Sequence, residues 1–225
     1  MYYKVKISSD PKIIGVNNGV YQVEIKPKTS FEGKIEEKKF DDYFDKPLSY
    51  FRSNKYKPID KKEVKTITFI PLKKAKETDF VSYSPNVNAM LGLFSDNLMT
   101  IISEFKLPSL IKIDALIKGF KKKYFFVGLP ILDMGIIDFS NSTFSVLKSG
   151  EILSLNNKEE YIEKVIINDL YRSSKLMLKE NIDFDMFYLQ SEGLFFSKNL
   201  ISKLEKEGIT GLEIKSTSLV IKPSN

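Results

Sequence analysis

The fold is decided by a stretch near the end of the chain, Asp185-Met-Phe-Tyr-Leu-Gln-Ser-Glu-Gly-Leu-Phe-Phe-Ser-Lys-Asn-Leu-Ile-Ser-Lys-Leu-Glu-Lys-Glu-Gly-Ile-Thr-Gly-Leu-Glu-Ile214. Apolar and aromatic residues lie on both sides of a glycine-containing turn, which predicts two strands joined by that turn. Ser197 is a favourable helix N-cap because its hydroxyl accepts an orphan backbone N–H, and Gly208 suits the left-handed residue that ends a helix. After Gly211 the apolar residues resume. The stretch therefore predicts strand, turn, strand, helix and strand.

A fainter copy of this pattern lies earlier in the chain, from Asp79 to Ile113. Ser95 is its predicted N-cap, and Asp96 suits the positive end of the helix dipole. The two copies predict an α+β fold with mixed or antiparallel sheets, few helices and an internally duplicated strand-turn-strand-helix-strand unit. The residues related by an offset of 102 positions are Ser95 and Ser197, Asn97 and Asn199, Leu98 and Leu200, Ile102 and Leu204, and Leu110 and Leu212.

The N-terminal part of the chain also contains predictable elements. Residues 2–7 alternate as a strand, and Asn18-Gly19 is a tight-turn pattern before a second strand at 20–25, so a hairpin or meander is expected there. A short helix is expected near 36–45. A further strand is expected at 64–71, where Pro71 ends it.

The composition indicates a globular protein, because 42% of its 225 residues are hydrophobic and 28% are charged. No low-complexity linker interrupts it, so we predict a single domain over 1–225, with a weak seam near 76–79 and repeat copies at about 79–113 and 185–214. No apolar run approaches the ~18 residues of a membrane helix. The opening residues 1–7 look like a first strand and not a signal peptide. We expect a cytoplasmic protein without membrane contact.

The absence of two residue types restricts the chemistry. The chain contains neither Cys nor His, which excludes thiolate and imidazole catalysis and the commonest zinc and iron ligand sets. An enzyme built from this sequence would depend on carboxylates, Lys, Ser or Tyr. No catalytic constellation of such residues stands out in the sequence, so we expect no enzyme activity, no catalytic residues, no cofactor and no metal.

Three polar patterns deserve a structural test. Ser95-Asp96-Asn97 and Ser145–Lys148 match two motifs of penicillin-recognising serine enzymes, but in reversed chain order and without the third, and Ser95 already has a capping role. Asp183 and Asp185 would point the same way on a strand, as an acid–base pair or cation site requires, although solvated charges explain them as well. Three further carboxylates could form an oxygen-rich calcium site, but they lack the EF-hand spacing: Asp41, Asp42 and Asp45.

Positive charge is concentrated in residues 52–76. This basic stretch holds nine Lys or Arg residues against two acids, whereas the whole chain carries a net charge of +6. Phe51, Tyr56 and Phe69 lie among the cations, and aromatics interleaved with Lys are typical of surfaces that bind single-stranded nucleic acid. Eight of the nine cations are Lys, which favours a solvated face over bidentate recognition.

The segment Leu194–Ile214 contains a strand that enters a Ser-capped helix, then Gly-Ile-Thr-Gly-Leu and a final strand. This pattern resembles the C-terminal signature of a family of immunity proteins from bacterial polymorphic-toxin systems. Asp185–Tyr188, Ile137–Phe144 and Tyr2-Tyr3 resemble the family's preceding strand, its central Ile-Asp-Phe…Ser segment and its aromatic opening. The resemblance covers the chain loosely from about residue 79, and 26–76 has no counterpart. It implies no catalytic residues and transfers no site, because toxin contacts vary within the family.

The resemblance implies a non-enzymatic immunity protein that binds a cognate toxin domain and occludes its active site. The basic stretch is the predicted contact surface, and nucleic acid is not the expected partner. Two alternatives stay open: a nucleic-acid-binding module that uses the same stretch, and a hydrolase built on carboxylates or on Ser and Lys. The predicted partner-binding residues are Arg52, Lys55, Tyr56, Lys57, Lys61, Lys62 and Lys65.

Overall fold

A computed structural model describes residues 1–52, 57, 59, 63–167 and 171–221, with the side chains of 216–221 excepted. This part of the chain forms fifteen strands and six α-helices in mixed and antiparallel sheets, which confirms the predicted α+β class. The strands are β1 Tyr2–Ile7, β2 Val23–Glu24, β3 Thr66–Pro71, β4 Phe80–Val81, β5 Tyr83–Ser84, β6 Met90–Ser95, β7 Ile111–Ile117, β8 Tyr124–Gly128, β9 Ile131–Leu132, β10 Thr143–Val146, β11 Ile152–Leu153, β12 Tyr171–Leu178, β13 Met186–Leu189, β14 Gly193–Ser197 and β15 Leu212–Ile221.

The helices are few, as the sequence predicted, and all of those described are short. A 3₁₀ turn and a π-helical turn add to them, at Met134–Ile136 and Ile162–Ile167. No helix among the described residues has the length and apolar character needed to cross a membrane. The α-helices are α1 Pro11–Ile14, α2 Lys34–Phe44, α3 Leu48–Phe51, α4 Asp96–Ile102, α5 Lys158–Tyr161 and α6 Lys198–Lys206.

Residue contacts divide the chain into two compact units. Unit 1 comprises Met1–Lys6, Ile131–Ile201 and Ile214–Asn225. Unit 2 comprises Ile7–Pro130 and Ser202–Glu213. Each unit is built around one sheet, and the single domain expected from the sequence stays a prediction.

Unit 2 contains a seven-stranded sheet in the order β4-β6-β8-β7-β3-β2-β5. β6 and β7 both pair antiparallel with β8, whereas β3 pairs parallel with β7. Aromatic rings fill its core, with Phe69 and Tyr83 each packed edge-on against Phe126. Phe69 and Phe126 are completely buried, so β3 and β8 are central strands.

Unit 1 contains an eight-stranded sheet in the order β11-β10-β12-β15-β1-β14-β13-β9. β14 pairs antiparallel with both β1 and β13, whereas β12 pairs parallel with β15. Its core includes Phe144, Tyr161, Phe187 and Phe195, all buried. Phe187 and Phe195 stack face to face with ring centroids 5.6 Å apart.

The internal duplication predicted from the sequence is confirmed. In unit 2 the order is β4, β5, β6, α4 and β7, and the later copy has β13, β14, α6 and β15, which is the same order without a counterpart of β5. The registers match as well, because Phe80 pairs with Phe94 where Met186 pairs with Phe196. The same backbone bond closes each turn into the helix: the N–H of the capping serine donates to the carbonyl of an aspartate 2.8 Å away, Asp79 in one copy and Asp185 in the other.

The duplication extends to a strand that the sequence analysis did not relate to it. In unit 2, β8 lies beside β6, with Tyr124 opposite Ser95. In unit 1 this position is filled by β1, with Tyr2 opposite Ser197. The predicted hairpin between 2–7 and 20–25 is therefore wrong, because β1 and β2 belong to different sheets. β1 instead buries Tyr2 and Val5 in the unit 1 sheet.

The two copies also share a position for a longer segment. Residues 25–65 connect β2 to β3 in unit 2, and residues 147–170 connect β10 to β12 in unit 1. We call them the unit 2 insertion and the unit 1 insertion. In both sheets the insertion leads into a strand with a parallel neighbour, β3 beside β7 and β12 beside β15. The first contains α2 and α3, whereas the second contains β11, α5 and the π-helical turn.

Candidate functional site

The serine and aspartate residues that suggested catalysis have structural partners. Ser95 is completely buried, and its hydroxyl donates to Oδ1 of Asp79 at 2.8 Å and accepts from the Leu98 N–H at 3.1 Å. In unit 1 the Ser197 hydroxyl donates to Asp185 at 2.6 Å and accepts from the Leu200 N–H at 3.2 Å. Both serines are therefore helix caps, as predicted, and each is held by an aspartate that the sequence analysis did not assign to the cap.

Asp79 is the centre of a buried polar cluster in unit 2. Its carboxylate accepts from Lys122 Nζ at 2.7 Å, and from the N–H and hydroxyl of Thr210 at 3.0 and 2.8 Å. Burial acts to raise the pKa of Asp79, but hydrogen bonds from Lys122, Thr210 and Ser95 outweigh it and lower the pKa below its ordinary value. Gly211 keeps the Thr210 turn close, because a Cβ at this position would lie 2.3 Å from the Phe80 carbonyl. Asp79 therefore holds the turn in place.

Unit 1 has a second buried carboxylate that the sequence analysis missed. Glu192, in the turn between β13 and β14, accepts from the hydroxyls of Tyr161 and Ser173 at 2.5 Å each. Its other oxygen accepts from Lys4 Nζ at 3.2 Å. Burial, followed by the Glu192 charge, raises the pKa of Tyr161. These bonds join β1, α5 and β12 to the turn. A lone Glu in a turn gave no sequence pattern for this cluster.

The remaining candidate groups lie in unit 1 and at α2. The Ser145 hydroxyl donates to the Arg172 carbonyl at 3.4 Å, on a strand near the edge of the sheet, and Lys148 is exposed. Asp185 is committed to the Ser197 cap, and Asp183 is exposed. Across the described residues, no three Asp or Glu side chains are grouped so that they could hold a metal ion.

The basic stretch does not form one continuous exposed face. Its middle is β3, where Ile67 and Phe69 are completely buried. Phe51 is also buried, so neither Phe51 nor Phe69 is accessible for stacking on a nucleic-acid base.

The partner-binding residues predicted from the sequence are partly placed. Arg52 is half-buried and Lys57 is exposed, with the Lys57 carbonyl accepting from the Tyr43 hydroxyl at 2.6 Å. Lys65 is exposed and its Nζ lies 3.3 Å from Glu32. The other four lie outside the described residues: Lys55, Tyr56, Lys61 and Lys62. The contact surface as a whole therefore stays a prediction.

The unit 2 insertion contains a groove that the sequence analysis did not predict. It has a volume of about 280 Å³ and lies between α2 and the loop Pro85–Asn88. We call it the α2 groove. The Asn88 side-chain amide donates to the Phe44 carbonyl at 3.1 Å and fixes the loop against the end of α2. The floor consists of apolar side chains, most of them buried: Ile25, Phe31, Phe40, Phe44 and Val87.

The aromatic floor follows from the pattern of α2. Phe40 and Phe44 are one helical turn apart, and both are buried with ring centroids 4.7 Å apart. Phe31, before the helix, packs on Phe40 at 5.1 Å. Phe51 from α3 stacks on Phe44 from the other side, with centroids 6.3 Å apart. The rings are thus held in place by one another.

Three carboxylates lie along the edge of the α2 groove. Glu37, Asp41 and Asp45 follow one another at intervals of four residues, so they occupy one side of α2. Burial, and then the charges of Glu37, Asp45 and Asp42, raise the pKa of Asp41 above its ordinary value of 3.8. Asp42 does not line the groove, because one residue of helix turns its side chain away from Asp41. The edge therefore favours a cationic group.

Comparison with known proteins does not assign the chain to a family. No protein-family model matches it, and no curated protein is significantly similar in sequence. The resemblance of Leu194–Ile214 to the immunity-protein signature therefore stays a prediction. The described residues form a scaffold in which Ser95 and Ser197 cap helices and Asp79 and Glu192 are hydrogen-bonded, with the α2 groove and its apolar and acidic lining in an insertion.

Proposed function

We propose that the chain is an immunity protein that binds a cognate bacterial toxin domain in the cytoplasm and occludes its active site without catalysing a reaction. The observation that carries this proposal is the difference between the two insertions. The same position in two copies of one framework holds two unrelated segments, and the unit 2 insertion forms the α2 groove. A binding protein needs such a rigid frame with a replaceable surface.

The roles of the polar residues support the same proposal. Ser95, Asp79 and Asp185 serve as helix caps and turn anchors. A hydrolase would need a Ser or carboxylate that is free to approach a substrate, with a base within hydrogen-bond reach. A surface that excludes water around a few anchors is sufficient for inhibition, usually over about 1,600 Å² of buried area.

The test is co-expression with the toxin domain encoded beside this chain's gene. We expect rescue of growth and a complex that elutes as one species from a sizing column. The control is co-expression of the same toxin with an unrelated basic protein of similar size, which should not rescue. Absence of both a complex and rescue would contradict the proposal. Retention on a heparin column that is lost on changing Lys61, Lys62 and Lys65 to Glu would favour the nucleic-acid alternative instead.

A further inference from the structure

We propose that the α2 groove receives a basic segment of the toxin, with the aliphatic stem of a Lys or Arg side chain on its aromatic floor and the cationic head at its acidic edge. This inference rests on the proposed function, since the occupant is part of the toxin. It differs from the sequence-based expectation, which placed the contact on the basic stretch and implied an acidic partner.

The shape of the groove sets the first requirement for its occupant. About 280 Å³ is enough for one long side chain and its flanking backbone, but small for a folded element. Phe40 and Phe44 are buried beneath it and offer an apolar surface without hydrogen-bonding groups. Lys and Arg have an apolar stem and a charged tip, so one side chain satisfies both the floor and the edge.

The edge sets the second requirement. Glu37, Asp41 and Asp45 have no ion-pair or hydrogen-bond partner for their carboxylates among the described residues. Like charges four residues apart destabilise a helix, because the side chains are neighbours on its surface. By contrast Glu36, on another side of α2, accepts from the Lys65 N–H at 2.7 Å. The three groove-facing carboxylates therefore carry charge that nothing among the described residues of α2 offsets, as does Asp42 on the side away from the groove.

The direction of the helix makes this arrangement less stable still. Acidic residues are favourable in the first turn of a helix and unfavourable in the last, where the dipole is negative. α2 has Asp41 at its C-terminal end and Asp45 as its C-cap, with no basic residue in its last turn. Helix stability is thus reduced where a cation would restore it. This is the pattern expected of a binding site and not of a structural one.

Charge complementarity identifies the sign of the partner. Residues 52–76 carry the chain's positive excess, so a basic segment is repelled by that stretch and attracted at the α2 groove. This difference in charge between the two surfaces orients the partner as it binds and raises the association rate at low salt. An acidic partner would be repelled by the carboxylates at the edge of the α2 groove.

The experiment compares two variants of the same helix against the toxin. Changing Glu37→Gln, Asp41→Asn and Asp45→Asn together should weaken the complex by about 30-fold at low salt, since each edge charge is worth a few-fold in affinity. The matched control Asp42→Asn removes one charge from the same helix outside the groove and should change affinity by less than about twofold. Thermal melting should show the triple variant folded and no less stable than the wild type.

The outcomes separate this inference from the proposed function. Wild-type binding that the triple variant retains unchanged would overturn the inference and leave the immunity role standing. Absence of any complex would overturn the immunity role. A toxin-free probe, triarginine amide, should shift the amide resonances of α2 and 85–88 in the wild type and not in the triple variant. Shifts of the same amides by millimolar calcium chloride alone would indicate a metal occupant and overturn the inference.

Discussion

The two copies of the duplicated unit repeat one order of strands around a serine-capped helix, but the sheets that contain them differ in two places. In unit 2 the strand beside β6 is β8, which follows α4 and β7 in the chain, whereas in unit 1 the strand beside β14 is β1, which precedes it by more than 180 residues. The insertion holds α2 and α3 in one unit and β11 and α5 in the other. The framework tolerates both changes because its caps and registers are the same. Differences that the framework does not require are therefore the places to look for function.

The helices of the two insertions show this most clearly. In α5, Glu160 accepts from the Asn156 N–H at 2.8 Å and from Lys164 Nζ at 2.5 Å. In α2, Asp41 faces the charges of Glu37 and Asp45. One acid stabilises its helix and the other destabilises it. Because Glu160 of α5 is paired within its insertion and the three groove-edge acids of α2 are not, the α2 groove is the better candidate for a contact with a partner.

The largest expected effect comes from removing β1, the strand that lies between β14 and β15 in the unit 1 sheet. Deleting residues 1–7 removes β1 from between β14 and β15, and with it the buried side chains of Tyr2 and Val5. Burial of these two side chains alone contributes about 4 kcal/mol, so we expect unit 1 to lose its folded structure. Hydrogen exchange should show loss of protection in β14 while β6 stays protected.

A circular permutant is the control for that deletion. Joining Asn225 to Met1 and opening the chain between Ser9 and Asp10 keeps β1 and places five residues, 222–225 and Met1, between β15 and β1. The corresponding β7 and β8 of unit 2 are joined by six residues, 118–123. The permutant should fold with β14 protected. A permutant that fails to fold would show that β1 and β8 are not equivalent.

A smaller effect is expected when the two aspartates that accept from the capping serines are replaced, and its size should differ between Asp79 and Asp185. Asp79→Ala leaves Ser95, Thr210 and Lys122 without their acceptor in a buried site and should cost about 3 kcal/mol of unfolding free energy. Asp185→Ala acts at a half-buried position and should cost about 1 kcal/mol. Urea unfolding measures both. Equal costs would mean that the Thr210 contacts add nothing to the shared cap.

The smallest expected effect is on the pH dependence of stability, which should differ between an acid of the unit 2 insertion, Asp41, and one of the unit 1 insertion, Glu160. The pKa of Asp41 is raised from 3.8, so its ionised form destabilises the fold at neutral pH, and Asp41→Asn should raise the melting temperature there. The gain should vanish as the pH falls below 3.8. Glu160 has a pKa lowered from 4.5, by the Asn156 N–H and then by Lys164. Its contribution is present above pH 4.5 and is lost as the pH falls through the lowered pKa.

The Glu160 variant therefore gives the opposite sign. Glu160→Gln should lower the melting temperature at neutral pH, with a difference that shrinks toward low pH. Melting curves of the wild type and both variants between pH 3 and 7 give the comparison. Two variants that shift in the same direction would contradict the assignment of one acid to stability and the other to binding.

The parts of the fold that were predictable from the sequence are those set by local patterns. Ser95 and Ser197 could be identified because N-caps depend on the residues that follow them within one turn. The aspartates that hold these serines could not, since Asp79 reaches Ser95 only through strand pairing. The position of β1 was missed for the same reason, although Met1-Tyr-Tyr-Lys-Val5 and Lys123-Tyr-Phe-Phe-Val127 are alike.

The α2 groove shows a second limit of sequence reasoning. Asp41, Asp42 and Asp45 were considered together as possible calcium ligands in a loop. On a helix, four-residue spacing joins Asp41 to Asp45 and to Glu37, and separates Asp42 from them. The helix near 36–45 was predicted, so the position of these three acids on one side of it could have been inferred from the sequence. The opposite wall, Pro85–Asn88, was not, because nothing local relates it to α2.

The place of β1 has a consequence for how the protein is made. A ribosome synthesises this strand ahead of unit 2, and more than 180 residues later it synthesises β14, against which β1 pairs. Until then the nascent chain carries a strand with no partner beside it, a known hazard for aggregation. The seven strands of the unit 2 sheet lie between Val23 and Gly128, so this sheet is free to form meanwhile, and Ser202–Glu213 join unit 2 later. We expect biogenesis in two stages, with the second waiting for the C-terminal third to leave the exit tunnel.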